Sequence, residues 1–359
     1  MTETGGMKIK ILLTVVSTLF ILNSVFGQGA LTPPGVPMPT MRTLDQIEPR
    51  TPISLSSFTI SQPGSYYLTT NLNGGVGRNG VTITSGNVTL DLNGFSILGL
   101  AGSLEGVVVS VACTNITVRN GSISGWGSYG VDIFAAVGSL VEHLTVSKCG
   151  DAGILAGTGL IQDCVVLGNP SVGISCGNGQ VLRCKAQQNG STGIDCSSGQ
   201  VRDCVAYLNG GDGIHCQIGE VRNCESLQNS GIGIYVSPGT VSDCVAQNNL
   251  QSGIYLDAPA GQAVGNTCIG NNAYSTTNQA GIFVNDNRNR IEGNHVSNSG
   301  YAGIKVNNSQ HDNLIIKNSV MNSGTFNYVF NTNQIAGPII TSLASGVITN
   351  NSPWANFSF

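Results

Sequence analysis

The chain has 359 residues, of which 49 are glycine, and only 9% are charged although 40% are hydrophobic. Low charge with an ordinary apolar content excludes an intrinsically disordered chain and a charge-rich coiled coil. The formal net charge of −4 argues against a basic nucleic-acid-binding protein, so no nucleic-acid partner is expected.

Residues 1–27 have the pattern of a secretory signal peptide. Lys8 and Lys10 precede a mostly apolar stretch from Ile11 to Val25, and cleavage is expected before Gln28. Polar residues interrupt the apolar stretch too often for a membrane span. The sequence therefore predicts a secreted protein, extracellular or periplasmic, with no transmembrane segment after signal cleavage.

Residues 28–64 are predicted to form a proline-rich lead-in and an N-terminal cap. The prolines of this segment include Pro33, Pro34, Pro37 and Pro39. Because proline-rich chain favours extended conformations, this part is expected to be an arm and not packed core.

A 20-residue repeat occupies the centre of the chain. Three marks recur in phase, namely a Gly-Ile pair, a cysteine and an asparagine. The pairs begin at Gly153, Gly173, Gly193, Gly213, Gly233 and Gly253; the cysteines are Cys164, Cys184, Cys204, Cys224 and Cys244; the asparagines are Asn169, Asn189, Asn209, Asn229 and Asn249. The spacing then loosens, because the next pairs begin at Gly281 and Gly303, and the longer coil 257–281 is expected to bulge as a loop.

Each repeat reads as short strands separated by turns. Cys204 and Ala206 alternate with Val205 and Tyr207, which is the two-residue period of a strand, and glycines punctuate the turns. Such units predict a parallel β-solenoid whose coils stack at about 4.8 Å, so that residues 20 apart form columns. One predicted core column is Ile161, Val181, Val201, Val221 and Val241. The asparagine column is either a hydrogen-bonded amide ladder or a set of turn residues.

The repeat VRDCVAYLNGGDGIHC and the earlier stretch VTLDLNG from Val88 to Gly94 resemble right-handed parallel β-helix repeats of the pectin-lyase-like superfamily in bacterial secreted proteins. The resemblance implies an all-β fold, a single-stranded right-handed parallel β-helix of about a dozen coils over residues 65–330. Residues 331–359 are expected to form a C-terminal cap that includes the aromatic residues Trp354, Phe357 and Phe359.

Eight of the eleven cysteines fall into two predicted columns. The second column is Cys176, Cys196 and Cys216, and Cys268 is expected to extend the first. Buried free thiols are the favoured state, since in-register side chains on a parallel sheet suit disulfide geometry poorly. Disulfide bonds remain the alternative, because the protein is predicted to be exported and exported proteins commonly contain them. Neither column has zinc-ligand spacing, so no metal or cofactor is predicted.

Outward positions of the central coils concentrate the few charges. Asp195, His215, Tyr235 and Tyr255 follow the Gly-Ile pair in successive coils, and Asp212 lies on the turn before His215. Further outward columns hold Lys185 with Glu225 and Arg202 with Arg222. These residues predict a carbohydrate groove in which Asp and His are acid–base candidates and Tyr offers a stacking platform. The alternative is that they only solvate an otherwise bland surface.

The enzyme motifs of the superfamily do not carry over to this sequence. Gly211-Asp212-Gly213 has a single Asp, and His215 is flanked by Ile214 and Cys216 instead of glycines. No convincing pair of carboxylates for glycoside hydrolysis is assigned. Three functions stay open: binding of a polysaccharide or cell-surface glycan, a non-catalytic structural or adhesive surface rod, and a polysaccharide lyase or glycoside hydrolase with an unrecognised site. The oligomeric state is left open as well.

Overall fold

The computed structural model describes residues 48–341 and 350–359, so the predicted signal peptide and most of the lead-in lie outside the described residues. The unit from Arg50 to Phe359 is built from short strands and turns, and its described part has no helix. Accordingly, no helix long and apolar enough to cross a membrane occurs in the described ranges.

The strands form three parallel faces, which we name sheets A, B and C in the order in which a central coil visits them. Sheet A comprises Phe58–Ile60, Val81–Ile83, Val107–Val109, Val131–Ile133, Ile154–Gln162, Ile174–Leu182, Ile194–Arg202, Ile214–Arg222, Ile234–Val236, Ile254–Leu256, Ile282–Val284, Ala302–Val306 and Phe326–Val329. The four nine-residue strands of this set bend round a corner, and their second halves belong to sheet B.

Sheets B and C complete each coil. The other strands of sheet B are Thr51–Ile53, Gly64–Leu68, Val88–Asp91, Ile116–Ser124, Ser139–Ser147, Gly239–Ser242, Gln262–Val264, Arg290–Glu292, Leu314–Ile316 and Ile335–Ala336. Sheet C takes the second halves of Ile116–Ser124 and Ser139–Ser147. The rest of it is Leu72–Asn73, Ser96–Leu98, Val165–Leu167, Lys185–Gln187, Val205–Tyr207, Glu225–Leu227, Val245–Gln247, Thr267–Ile269, His295–Ser297, Ser319–Met321, Ile339–Thr341 and Asn356–Ser358. A separate short pair joins Cys113–Thr114 to Ala136–Val137.

Neighbouring coils pair in parallel and in register. Ile154 pairs with Ile174, and Ile174 pairs with Ile194, each 20 residues further along the chain. The solenoid has about 13 turns with a mean spacing of about 22 residues. The predicted all-β parallel solenoid of about a dozen coils is therefore confirmed.

Strand pairing extends beyond both ends of the predicted range 65–330. Thr51–Ile53 pairs with Tyr66–Leu68, so part of the predicted lead-in already belongs to a coil. At the other end Asn356–Ser358 pairs with Ser319 and Val320, so the aromatic tail adds strand to sheet C. At the N-terminal end the core already contains Ile53 and Ile60, which are as buried as the central isoleucines, and for this reason the coils begin before residue 65.

Inward columns of aliphatic side chains fill the space between the three sheets. Ile161, Val181, Val201, Val221 and Val241 are paired in register and fully buried, as predicted. Burying such side chains supplies the main stabilisation, roughly 1.5–3 kcal/mol for each before entropy costs.

The asparagine column is a continuous amide ladder. The Nδ2 of Asn189 donates to the Oδ1 of Asn209 at 3.1 Å, and the Nδ2 of Asn209 donates to the Oδ1 of Asn229 at 3.0 Å. Each Oδ1 also accepts the backbone N–H of the asparagine one coil earlier, as Asn209 does from Asn189 at 3.1 Å. The ladder explains the glycine of the Gly-Ile pair, because a Cβ on Gly193 would lie 2.5 Å from the Nδ2 of Asn209. The ladder hypothesis is confirmed over the turn-residue alternative.

All eleven cysteines carry free thiols, and only Cys113 is not buried. In the first cysteine column each Sγ lies near the carbonyl two residues earlier, as Cys204 does at 3.1 Å from that of Arg202. The prediction that Cys268 extends this column is wrong, because Cys268 pairs with Ala246. Two extra residues between Leu256 and Gln262 shift the register, and Asn266 takes the column position instead.

Candidate functional site

One outward row on sheet A brings together most of the residues that the sequence singled out. Asp195 pairs in register with His215, His215 with Tyr235, and Tyr235 with Tyr255. Their side chains point away from the core because Ile214 and Cys216, on either side of His215, point inward and are buried. All four outward side chains are half-buried. We name this set the sheet-A row.

The rings of the row stack on one another along the solenoid axis. The centroids of His215 and Tyr235 are 4.2 Å apart at 13°, and those of Tyr235 and Tyr255 are 5.6 Å apart at 16°. Tyr255 stacks in turn on Phe283 at 5.0 Å. Because neighbouring rings cover the tyrosine faces, the predicted stacking platform for a sugar is not available. The row offers ring edges, hydroxyl groups and the imidazole to a ligand instead.

His215 lies between carboxylates of two neighbouring coils. Its Nδ1 is 3.4 Å from the Oδ2 of Asp212, whose other oxygen accepts the backbone N–H of Ile232 at 2.7 Å. This hydrogen bond with Asp212 raises the pKa of His215, against the opposing effect of burial, and the charge of Asp195 adds to the rise. Burial raises the pKa of Asp195, although the positive imidazole opposes it. The three groups form a partly desolvated acid–base cluster that stays open to solvent.

Tyr235 is held by a second carboxylate. Its hydroxyl donates to Asp257 at 2.5 Å, and the other oxygen of Asp257 accepts from Asn285 at 2.8 Å. Burial and this hydrogen bond raise the pKa of Tyr235 to about 12, so the hydroxyl remains a proton donor at neutral pH. Burial also raises the pKa of Tyr255, helped by the charge of Asp257.

The open part of the row ends at Tyr255, where the longer coil begins. Six of its eight extra residues lie between Asn271 and Gly281, and the loop they form is fixed by Asn272, which hydrogen-bonds the backbone of Thr276 and Gln279. The next ring, Phe283, is buried at 4% exposure. Lys305 follows Phe283 in register, and its ammonium donates to the carbonyl of Thr277 in the loop. The predicted bulge therefore closes one end of the exposed row.

Sequence reasoning missed an acidic group at the other end of the same face. Asp132 is the outward residue three coils before Asp195, and burial raises its pKa. Burial also raises the pKa of Glu105, and Asp132 adds to the rise through its charge. Tyr129 lies among these groups and bonds Asp151. The available signal was positional, since Asp132 follows a Gly-Val pair as Asp195 follows Gly-Ile.

The other four predicted residues lie on different faces. Lys185 and Glu225 point outward from sheet C, separated by Val205. The side chains of Arg202 and Arg222 lie on sheet B, where Arg202 contacts Glu220 at 2.5 Å and Arg222 contacts Asp243 at 3.5 Å. The structure therefore assembles Asp195, Asp212, His215, Tyr235 and Tyr255, and it leaves these four outside that group. In the described ranges, no group of three or more His, Cys, Asp and Glu side chains is arranged to hold a metal ion.

A protein-family model agrees with this architecture. The family is described as a right-handed β-helix region, and its model matches residues 64–216 and 156–276. The chain belongs to the right-handed β-helix family. The predicted handedness and the pectin-lyase-like fold of this β-helix protein are thereby confirmed.

Solved structures align with this chain at low sequence identity. The A-module of mannuronan C-5 epimerase AlgE4 from Azotobacter vinelandii aligns with a TM-score of 0.52 and 12% identity, over 73% of this chain and 86% of that module. Pectate lyase Pel9A aligns with a TM-score of 0.36 and 14% identity, over 80% of this chain and 68% of the lyase. The Dettilon tailspike protein aligns with a TM-score of 0.41 and 15% identity, over 86% of this chain and 61% of the tailspike. Among curated proteins none matches the sequence. At 12% identity the likeness to the epimerase module shows the fold alone.

Proposed function

We propose that this β-helix protein binds a polysaccharide along the outer face of sheet A. The observation that carries the proposal is the half-exposed cluster of Asp195, Asp212 and His215 on neighbouring coils. Carboxylates and imidazole hydrogen-bond sugar hydroxyls well, and polar groups with shifted pKa values gather at ligand sites. The structural relatives contribute the fold only, so the proposal rests on this face.

A polymer suits the row better than a small ligand. Polar groups recur from Asp195 to Tyr255 at the coil spacing of about 4.8 Å, which gives a chain laid along the axis a contact in every coil. The surface there is an open row and not an enclosed cavity. Because the tyrosine faces are covered, recognition relies on hydrogen bonds to the carboxylates, the imidazole and the tyrosine edges.

We also propose that the protein acts outside the cytoplasm, as a secreted, cell-surface or periplasmic protein. The support is the signal-peptide pattern of residues 1–27. N-terminal sequencing of the exported protein tests it, and a mature chain that starts at Gln28 is the expected result. A protein that stays in the cell with residues 1–27 still attached would contradict it.

A glycan array tests the binding proposal directly. We expect the wild-type protein to bind at least one polysaccharide, and His215→Ala and Asp195→Ala each to weaken that binding about tenfold or more, since each removes a central hydrogen-bonding group. Glu225→Ala, an exposed carboxylate on sheet C of the same coils, is the matched control and should bind normally. A protein that binds no glycan would instead support a structural or adhesive rod.

Catalysis is the second candidate function, because Asp212 and His215 form a hydrogen-bonded acid–base pair. If the pair is catalytic, uronic-acid and neutral polymers incubated with the protein will gain unsaturated or reducing ends, and His215→Ala will abolish this. Binding without cleavage is the outcome that the proposed function expects.

A further inference from the structure

The outer face of sheet A and the turns on either side of it carry an excess of negative charge. Six of the carboxylates there are Glu105, Asp132, Asp151, Asp195, Asp212 and Asp257. Within the described part of the chain, the ion pairs include only one of the six, Asp212, and its partner is His215. The others accept hydrogen bonds from neutral donors, as Asp257 does from Tyr235 and Asn285, or lie beside further acids.

Most basic side chains of the same coils lie elsewhere, and the arginines among them are paired with other acids. Arg202 contacts Glu220 on sheet B at 2.5 Å, and Arg183 contacts Asp163 at 2.8 Å at the corner that follows sheet B. Each of those surfaces therefore carries little net charge. The charge of the solenoid is segregated, with most of its net negative charge on the face that carries the sheet-A row and on the turns beside it.

The two basic groups in the row itself leave this excess largely uncompensated. His215 is the partner of Asp212. Lys305 is buried behind the loop, where its ammonium donates to the carbonyl of Thr277 and burial lowers its pKa. Toward the other end, each charged neighbour that shifts the pKa of Tyr129 is an acid, namely Asp151, Asp132 and Glu105.

We infer that the ligand of this face is a cationic polysaccharide, an amino-sugar polymer that carries free ammonium groups. The inference rests on the proposed function and adds the chemical class of the ligand. Ammonium groups would complement the carboxylates from Asp132 to Asp257, whereas a polyuronate would set its own carboxylates against them. A cationic chain also fits a row that recognises its ligand by charge and hydrogen bonding instead of ring stacking.

Binding of three hexasaccharides at mildly acidic pH tests the inference. The probes are the hexamers of glucosamine, N-acetylglucosamine and galacturonate, measured by calorimetry at low and high salt. We expect the glucosamine hexamer to bind about tenfold or more tighter than its neutral acetylated form at low salt, and the excess to shrink as salt screens the charges. The galacturonate hexamer should bind weakest of the three.

Variants separate the charge effect from folding. The double variant Asp132→Asn/Asp195→Asn keeps the side-chain shape and should lower glucosamine binding to the level of the acetylated hexamer. Glu225→Gln, which removes a charge from sheet C, should leave the preference unchanged and controls for net charge.

Each failure has a distinct signature. A galacturonate hexamer that binds as tightly as the glucosamine hexamer, or a glucosamine preference that survives in the double variant, overturns the cationic ligand. If such binding is still lost in His215→Ala, the proposed function stands. Failure of all three hexamers to bind overturns the cationic ligand, while the proposed function is overturned only if the glycan array also shows no binding.

Discussion

The coils before Asp257 and the coils after it build one solenoid with different side chains at the same corner. In the central coils a column of thiols accepts from the neighbouring backbone, as Cys184 N–H donates to the Sγ of Cys204 at 3.4 Å. In the later coils an amide ladder fills the same column, in which the Nδ2 of Asn266 donates to the Oδ1 of Asn294 at 3.0 Å. The corner therefore requires a side chain that accepts the N–H of the previous coil, and two residue types meet that requirement.

The same division separates the exposed and the covered parts of sheet A. His215, Tyr235 and Tyr255 are open to solvent in part, whereas Phe283, one coil later, is buried together with Ala280 of the loop after Asn271. The outer face of sheet A is thus accessible where the coils keep the 20-residue period, and it is covered where the longer coil breaks that period. The comparison predicts where substitutions will act on stability and where they will act on charge.

The largest expected effect is loss of a rung from the central amide ladder. Asn209→Ala leaves the buried N–H of Asn189 and the buried carbonyl of Ala186 without the partners they have now. Each such group costs about 1–3 kcal/mol, so we expect the free energy of unfolding to fall by about 4 kcal/mol in denaturant titrations. Asn178→Ala, an exposed asparagine in the same region, should change it by less than about 0.5 kcal/mol. Equal effects of the two substitutions would contradict the ladder's role.

A smaller effect should distinguish the two kinds of column. Cys244→Asn would extend the second amide ladder, the one that begins at Asn266 in the later coils, since the N–H of Cys244 already donates to the Oδ1 of Asn266 at 3.0 Å. Cys204→Asn would place the same amide between Cys184 and Cys224, where sulfur is a weak partner. We expect Cys244→Asn to be less destabilising by about 1–2 kcal/mol in chemical denaturation. If Cys204→Asn is the milder change, the ladder that begins at Asn266 does not explain why the column changes from cysteine to asparagine there.

The smallest effect concerns pH and the charged cluster of the central coils. Because the pKa of His215 is raised above its ordinary value of 6.5, protonated His215 stabilises the fold. This contribution is fully present below about pH 6.5 and is lost as the pH rises through the raised value. For a group this exposed we expect less than about 1 kcal/mol.

Denaturation midpoints measured across that range, as the difference between wild type and His215→Gln, should show this loss. Asp212→Asn should remove most of it as well, because the hydrogen bond with Asp212 is the main cause of the shift. A difference between wild type and His215→Gln that does not change with pH would contradict the assignment.

The sequence predicted the fold well wherever residues 20 apart keep one environment. Ile161 and Val181 repeat because the core is continuous, and Asp195 and His215 are neighbours for the same reason. Prediction failed where the register shifts, so that Cys268 was assigned to the wrong column. It also failed where side-chain geometry decides, since ring stacking covers Tyr235 and ion pairs occupy Arg202. Asp132 was missed because it lies before the strict repeats.

Carboxyl footprinting with and without a bound hexasaccharide tests the central claim most directly, that one face of the solenoid is the ligand-binding face. Carbodiimide labelling followed by mass spectrometry reports the accessibility of each carboxylate. The account predicts that the ligand protects Asp132, Asp195 and Asp212, which belong to different coils but one face, and leaves Glu225 and Asp243 unchanged. Protection of Glu225 or Asp243 with Asp195 and Asp212 still labelled would contradict it.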